Sequence, residues 1–103
     1  METVRTRSSW MVFRALLAER QPFHTHGALR GEAGEHHSTG RLAGDDLSSF
    51  TRTPVDFVVY SYATPIAWHT IDGDWTMPST RYSVTTSCHQ SAIRTAISQL
   101  GVA

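Results

Sequence analysis

The sequence predicts an α+β fold: a small antiparallel sheet of three to five strands, with one helix from each end of the chain packed on it. Three observations predict it. Apolar residues recur at helical spacing near both termini, in "SSWMVFRALLAER" and "TTSCHQSAIRTAISQLG". The run "VDFVVYSY" is dense in β-branched and aromatic residues, and "IAWHTIDGDWTM" sets an Asp-Gly pair between two apolar arms. The chain has 103 residues, which suits a single domain over residues 1–103.

In the first of these segments Trp10, Phe13, Leu16 and Leu17 share one face, and Ser8 or Ser9 can accept from first-turn amides. The helix is expected from Trp10 to Arg20, with Pro22 closing it. "FHTHGALR" then alternates as a short strand, Phe23, Thr25 and Gly27 on one face and His24 and His26 on the other. "GEAGEHHSTGRLAG", residues 31–44, holds four glycines and reads as a long loop. "DDLSSF" supports one helical turn, with Asp45 or Asp46 as its cap.

The best strand follows over residues 55–62, then the hairpin. A type I′ turn at Asp72-Gly73 would pair Thr70 with Trp75 and Trp68 with Met77. That register puts Ile66, Trp68, Trp75 and Met77 on one face. "RYSV" reads as a last strand. The final helix has Ser87 and Gln90 at capping-box spacing, a stripe of Ile93, Ala96, Ile97 and Leu100, and Gly101 as its stop.

Charge narrows the function. Nine basic residues, all arginine, offset nine acidic ones, so no net field draws the chain to nucleic acid or a membrane surface. No run approaches the roughly 20 apolar residues that span a bilayer. The start, "METVRTRSSW", lacks a signal-peptide core, and the lone Cys88 has no partner for an internal disulfide. A soluble protein of a reducing compartment is expected.

Three groups of residues could carry chemistry. Thr85, Thr86 and Ser87 lead into a helix whose free amides could hold an anion, with Arg81 and His89 nearby; capping by Ser87 and Gln90 accounts for the same residues. His24, His26, His36, His37 and His89, with Cys88, could approach a metal, but none of their spacings is that of a zinc site. His89 with His26 or His24 could instead act as an acid and base pair. Trp68 and Trp75 are expected in the core together with Ile66, whereas Tyr60 and Tyr62 are expected on the surface.

"PFHTHGALRG", "VVYSYATPIAW" and "RYSVTTSCHQ" together resemble a family of small proteins common in phages of actinobacteria and in prophages of their hosts. The resemblance rests on Tyr-Ser-Tyr before Thr-Pro-Ile-Ala-Trp and on the later Tyr-Ser-x-Thr-Thr-Ser-x-His-Gln pattern, and it spans residues 22–90. It implies a phage origin and the host cytoplasm as setting, and brings no activity with it. The leading expectation is a non-enzymatic interaction module, a phage accessory protein acting on a host protein or a nucleic-acid structure. Its expected surface is Tyr60, Tyr62, Arg81, Tyr82, Thr86, Ser87, His89 and Gln90. The alternative is a histidine-dependent hydrolase or nuclease using His89 and His26. Neither reading calls for a metal, a cofactor or a membrane, and the oligomeric state is left open.

Overall fold

The structure is a computed structural model and describes residues 2–4, 10–25, 28–34, 39–78 and 84–100. Its elements are β1 (Glu2–Val4), α1 (Trp10–Ala18), β2 (Phe23–Thr25), β3 (Leu29–Ala33), α2 (Gly44–Arg52), β4 (Val55–Ser61), β5 (Thr64–Thr70), β6 (Trp75–Thr76) and α3 (Val84–Ser98). The strands form one sheet in chain order. β2 to β6 are antiparallel neighbours, and β1 adds in parallel beside β2, with α1 in the connection between them. The expected α+β architecture is the observed one.

Both faces of the sheet are covered. α1 and α3 close one of them over Phe13, Leu17, Phe23, Leu29, Phe57, Val59, Ile66, Ala67, Ile93 and Ala96, all buried. The opposite face carries Val55, Val58, Tyr60 and Trp68 beneath Leu42 and Phe50, with Leu47 packed alongside. α2 supplies that second cover and is longer than the single turn expected of "DDLSSF". Each large apolar side chain buried this way contributes about 1.5–3 kcal/mol, so the two clusters hold the sheet from both sides.

The glycine-rich loop begins later than expected, because "LRGEA" is a strand. Gly31 shows why a glycine stands there. A Cβ on it would lie 2.5 Å from Phe23 Cε1 and 2.8 Å from Phe57 Cζ, so the missing side chain lets two phenylalanine rings close over the strand. "FHTHGALR" is accordingly two strands, β2 and the start of β3, rather than one.

The β5–β6 hairpin is shifted by one residue from the expected register. Trp68 faces Thr76 and His69 faces Trp75. The turn causes this: Gly73 N donates to Thr70 O at 2.9 Å, Thr70 N donates to Asp74 O at 2.9 Å, and Gly73 has φ +97°. The glycine thus ends a three-residue loop, and one slipped residue exchanges the faces. Trp75 and Met77 pack toward α1 and α3, whereas Trp68 lies on the α2 side against Phe50.

β4 and β5 each hold one residue with no partner across the ladder. Val55 faces Thr70 and Phe57 faces His69, leaving Asp56 over; Val59 faces Ala67 and Tyr60 faces Pro65, leaving Ile66 over. Such bulges re-aim side chains. Ile66 joins Ala67 in the α1/α3 core, which is how it parts from Trp68.

α1 ends in a reciprocal pair of backbone bonds, Gln21 N to Leu16 O at 2.8 Å and Arg20 N to Leu17 O at 3.1 Å, with Arg20 at φ +51°. This is the Schellman arrangement, with arginine where glycine is usual. α3 starts at Val84, so Ser87 lies inside the helix and is not its cap. The rest of the expected "RYSV" strand, residues 81–83, lies outside the described residues.

Candidate functional site

Two of the sequence motifs meet at a buried polar point. Ser61 ends β4 on the face that α3 covers, and its Oγ lies 2.8 Å from His89 Nδ1 and 3.0 Å from Thr86 Oγ1. Thr86 and His89 can both reach it because residues three apart share one side of a helix. Ser61 is 1% exposed, Thr86 3% and His89 4%. Burial lowers the His89 pKa from its ordinary 6.5, since loss of water penalises the imidazolium. The ring is therefore neutral at pH 7, with one nitrogen a donor and the other an acceptor. A serine hydroxyl at this distance from an imidazole has the spacing of a nucleophile and its base. Sealed as it is, this pair serves to tie α3 to the end of β4.

The expected surface is divided by the fold. Gln90 is buried beside His89, and its Nε2 donates to Pro78 O at 3.5 Å. Ser87 is half-buried in the first turns of α3. Tyr60 is 1% exposed, which corrects its expected surface position: it shares the α2 face with Val58 and Trp68. Tyr62 is not on that strand face at all, for it lies in the turn after β4 and is 58% exposed. Arg81, Tyr82, His26, His36 and His37 lie outside the described residues. His24 stands between Phe23 and Thr25, which face α1 and α3, so the sheet separates it from His89. Among the described residues, no three His, Cys, Asp or Glu side chains group as metal ligands.

A second polar group was missed by the sequence reasoning. The β4 bulge turns Asp56 toward His69, whose Nδ1 donates to Asp56 Oδ1 at 2.7 Å. The Trp75 ring stands edge-on to the His69 ring, centroids 5.1 Å apart. Arg20, in its left-handed backbone conformation, brings Nε to 3.9 Å from Asp56 Oδ2. The signal available in the sequence was the single acid inside "VDFVVYSY", a polar residue in an otherwise apolar strand.

The third feature is the tip of the β4–β5 hairpin. Ser61 pairs with Thr64, leaving Tyr62 and Ala63 as a two-residue turn, and Tyr62 has φ +58°. Both sides of the tip are clamped. Tyr62 N donates to Ala28 O at 3.0 Å, and the Tyr62 carbonyl accepts from Arg30 Nη1. On the other side Arg41 N donates to Thr64 Oγ1 at 3.0 Å. Gly40 packs so closely that a Cβ there would fall 2.2 Å from Ala63 O. Arg30 itself is held three ways: its guanidinium lies 4.4 Å over the Tyr60 ring, its Nε donates to Glu32, and its Nη1 donates to Tyr62. The buried Tyr60 thus supports the exposed Tyr62 through Arg30.

A family model described as a family of unknown function, DUF8033, matches residues 3–99, from β1 to the end of α3. The chain belongs to this family. No curated protein and no solved structure matches it. The match takes in the Ser61–His89 junction, the Asp56–His69 pair and the hairpin tip alike. Among the described residues no helix is long and apolar enough to cross a membrane.

Proposed function

We propose that this chain is a non-enzymatic interaction module, a small phage accessory protein that docks on a host protein in the host cytoplasm. The observation that carries the reading is Tyr62, a large ring 58% exposed on a backbone held at φ +58°. A non-glycine residue there costs of order 1–3 kcal/mol and persists when its surroundings over-determine it, a pattern that gathers at functional sites. Tyrosine is also a residue type enriched at interface centres, because a rigid amphipathic ring loses little entropy on binding. The balanced charge favours a protein over a nucleic acid as the partner. The phage origin rests on the resemblance of "VVYSYATPIAW" and "RYSVTTSCHQ".

The hydrolase alternative draws on the 2.8 Å Ser61–His89 contact. Against it stands the 1% exposure of Ser61, which leaves a substrate no approach to the hydroxyl. Affinity capture with the tagged full chain from an actinobacterial host tests both readings. Wild type should retain a host protein that Tyr62→Gly releases while remaining folded. Capture that survives Tyr62→Gly, or turnover of RNA or DNA by the purified chain, would overturn the proposal.

A further inference from the structure

We infer that Arg30 is a carboxylate receptor at the hairpin tip, taking an Asp or Glu side chain of the protein partner while Tyr62 packs beside it. The inference rests on the proposed reading of the tip as a protein contact and names the chemistry that contact recognises. A guanidinium carries five N–H donors in a rigid plane. Two are committed, Nε to Glu32 and one Nη1 hydrogen to the Tyr62 carbonyl. The remaining donors lie at the Nη1/Nη2 end, and the side chain is 37% exposed. Those donors, both hydrogens of Nη2 and the second of Nη1, are of the kind a carboxylate accepts from.

The fork is also fixed in advance. The Tyr60 ring lies 4.4 Å beneath it, the Glu32 carboxylate holds Nε, and the Tyr62 carbonyl holds Nη1. A side chain already immobilised loses little rotamer freedom when a partner arrives. Tyr62 is bonded to Arg30 through its own backbone, so the exposed ring and the charged fork are presented as one unit. Glu32 decides which anion fits. With one carboxylate already on the guanidinium, a second single negative charge is tolerated, whereas a phosphate dianion meets stronger repulsion.

The test selects binders from a display library of random short peptides with the full-length protein as bait. Peptides released by Tyr62→Gly should carry an Asp or Glu beside an apolar residue. Arg30→Met, which keeps the stem over Tyr60 and removes the fork, should weaken them roughly tenfold. Changing the peptide's Asp to Asn should cost no more in the Arg30→Met background, because contacting partners are non-additive. Glu32→Gln should tighten the same peptides, a gain that a damaged fold cannot mimic. Peptides that need Tyr62 but lack an acid, ignore Arg30→Met or bind no better to Glu32→Gln overturn the carboxylate assignment and leave the tip as a contact. Tighter binding of a phosphoserine version also overturns it. Enrichment of no peptide, or only of peptides indifferent to Tyr62→Gly, counts against the tip itself.

Discussion

Replacing His89 with alanine tests whether the Ser61–Thr86–His89 junction is structural. The substitution removes an imidazole that is 4% exposed together with its 2.8 Å bond to Ser61. A lost neutral hydrogen bond costs about 0.5–1.5 kcal/mol. The cavity left by the ring adds to this, giving a total of about 2–4 kcal/mol by analogy with other large-to-small core changes. For a domain of this size that lowers the melting midpoint by roughly 8–30 °C. Ser61 keeps its 3.0 Å contact with Thr86, so the hydroxyl is not stranded and the loss stays within that range.

The pH dependence supplies an independent readout. Well above pH 6.5 His89 is neutral in both the folded and the unfolded chain, and pH exerts no leverage through it. Below that value the unfolded chain takes up a proton that the buried ring resists, because its folded pKa is depressed. Wild type therefore loses stability through this group as pH falls from 6.5 toward the folded-state value. His89→Ala lacks that component, so the stability gap between the two proteins should narrow between about pH 7 and pH 5. Denaturant unfolding of both proteins across that range measures it. A variant within about 0.5 kcal/mol of wild type at neutral pH, or a gap that widens toward acid, would refute the structural assignment.

Three further outcomes are expected. Tyr62→Gly, read by thermal melting, should stabilise the chain by about 1 kcal/mol or more through release of the left-handed backbone, since glycine accepts positive φ freely. Gly31→Ala should destabilise by about 1–3 kcal/mol or prevent folding, because its Cβ would meet Phe23 and Phe57 at 2.5 and 2.8 Å; an unchanged denaturant midpoint would contradict that packing. Trp68→Ala should cost about 3–5 kcal/mol by emptying the space between Phe50 and the sheet, and a melting point like that of wild type would remove Trp68 from the core.

The parts of the fold legible in the sequence were those fixed by local periodicity. Phe13 and Leu17 on α1, and Ile93 and Ala96 on α3, are buried as their spacing implies. The sheet was harder because register and face depend on single residues. Gly73 closes a three-residue loop instead of a two-residue one, which moves Trp75 away from Trp68. An extra residue at Ile66 then carries that side chain to the α1/α3 face. Gly31 looked like a loop residue, and only the Phe23 and Phe57 rings above it explain a glycine in a strand.

The polar sites divide on similar grounds. The density of hydroxyls in "YSYATP" and "TTSCHQ" could suggest a bonded histidine, and Ser61 with Thr86 realises it. Tyr60 could not be placed by alternation, because Phe50 and Leu47 of the mostly polar helix α2 cover a face that the sequence left to solvent. Asp56 and His69 lie thirteen residues apart and meet only through the bulge.

Among the described residues, the two left-handed non-glycine positions make a comparison that bears on the proposed function. Arg20 occupies a position suited to glycine, and its side chain gains Asp56 at 3.9 Å, a part-exposed ion pair of the kind worth about 0–1 kcal/mol. That contact offsets some of the backbone cost. Tyr62 has no comparable return from its side chain, which makes no hydrogen bond or ring contact with the described residues and is 58% exposed. Its conformation is held through its own backbone, by Ala28, by the Arg30 guanidinium and by the close packing of Gly40 on Ala63. Folding would be served as well or better by glycine at this position, and that imbalance is the ground on which the proposed docking role of Tyr62 rests.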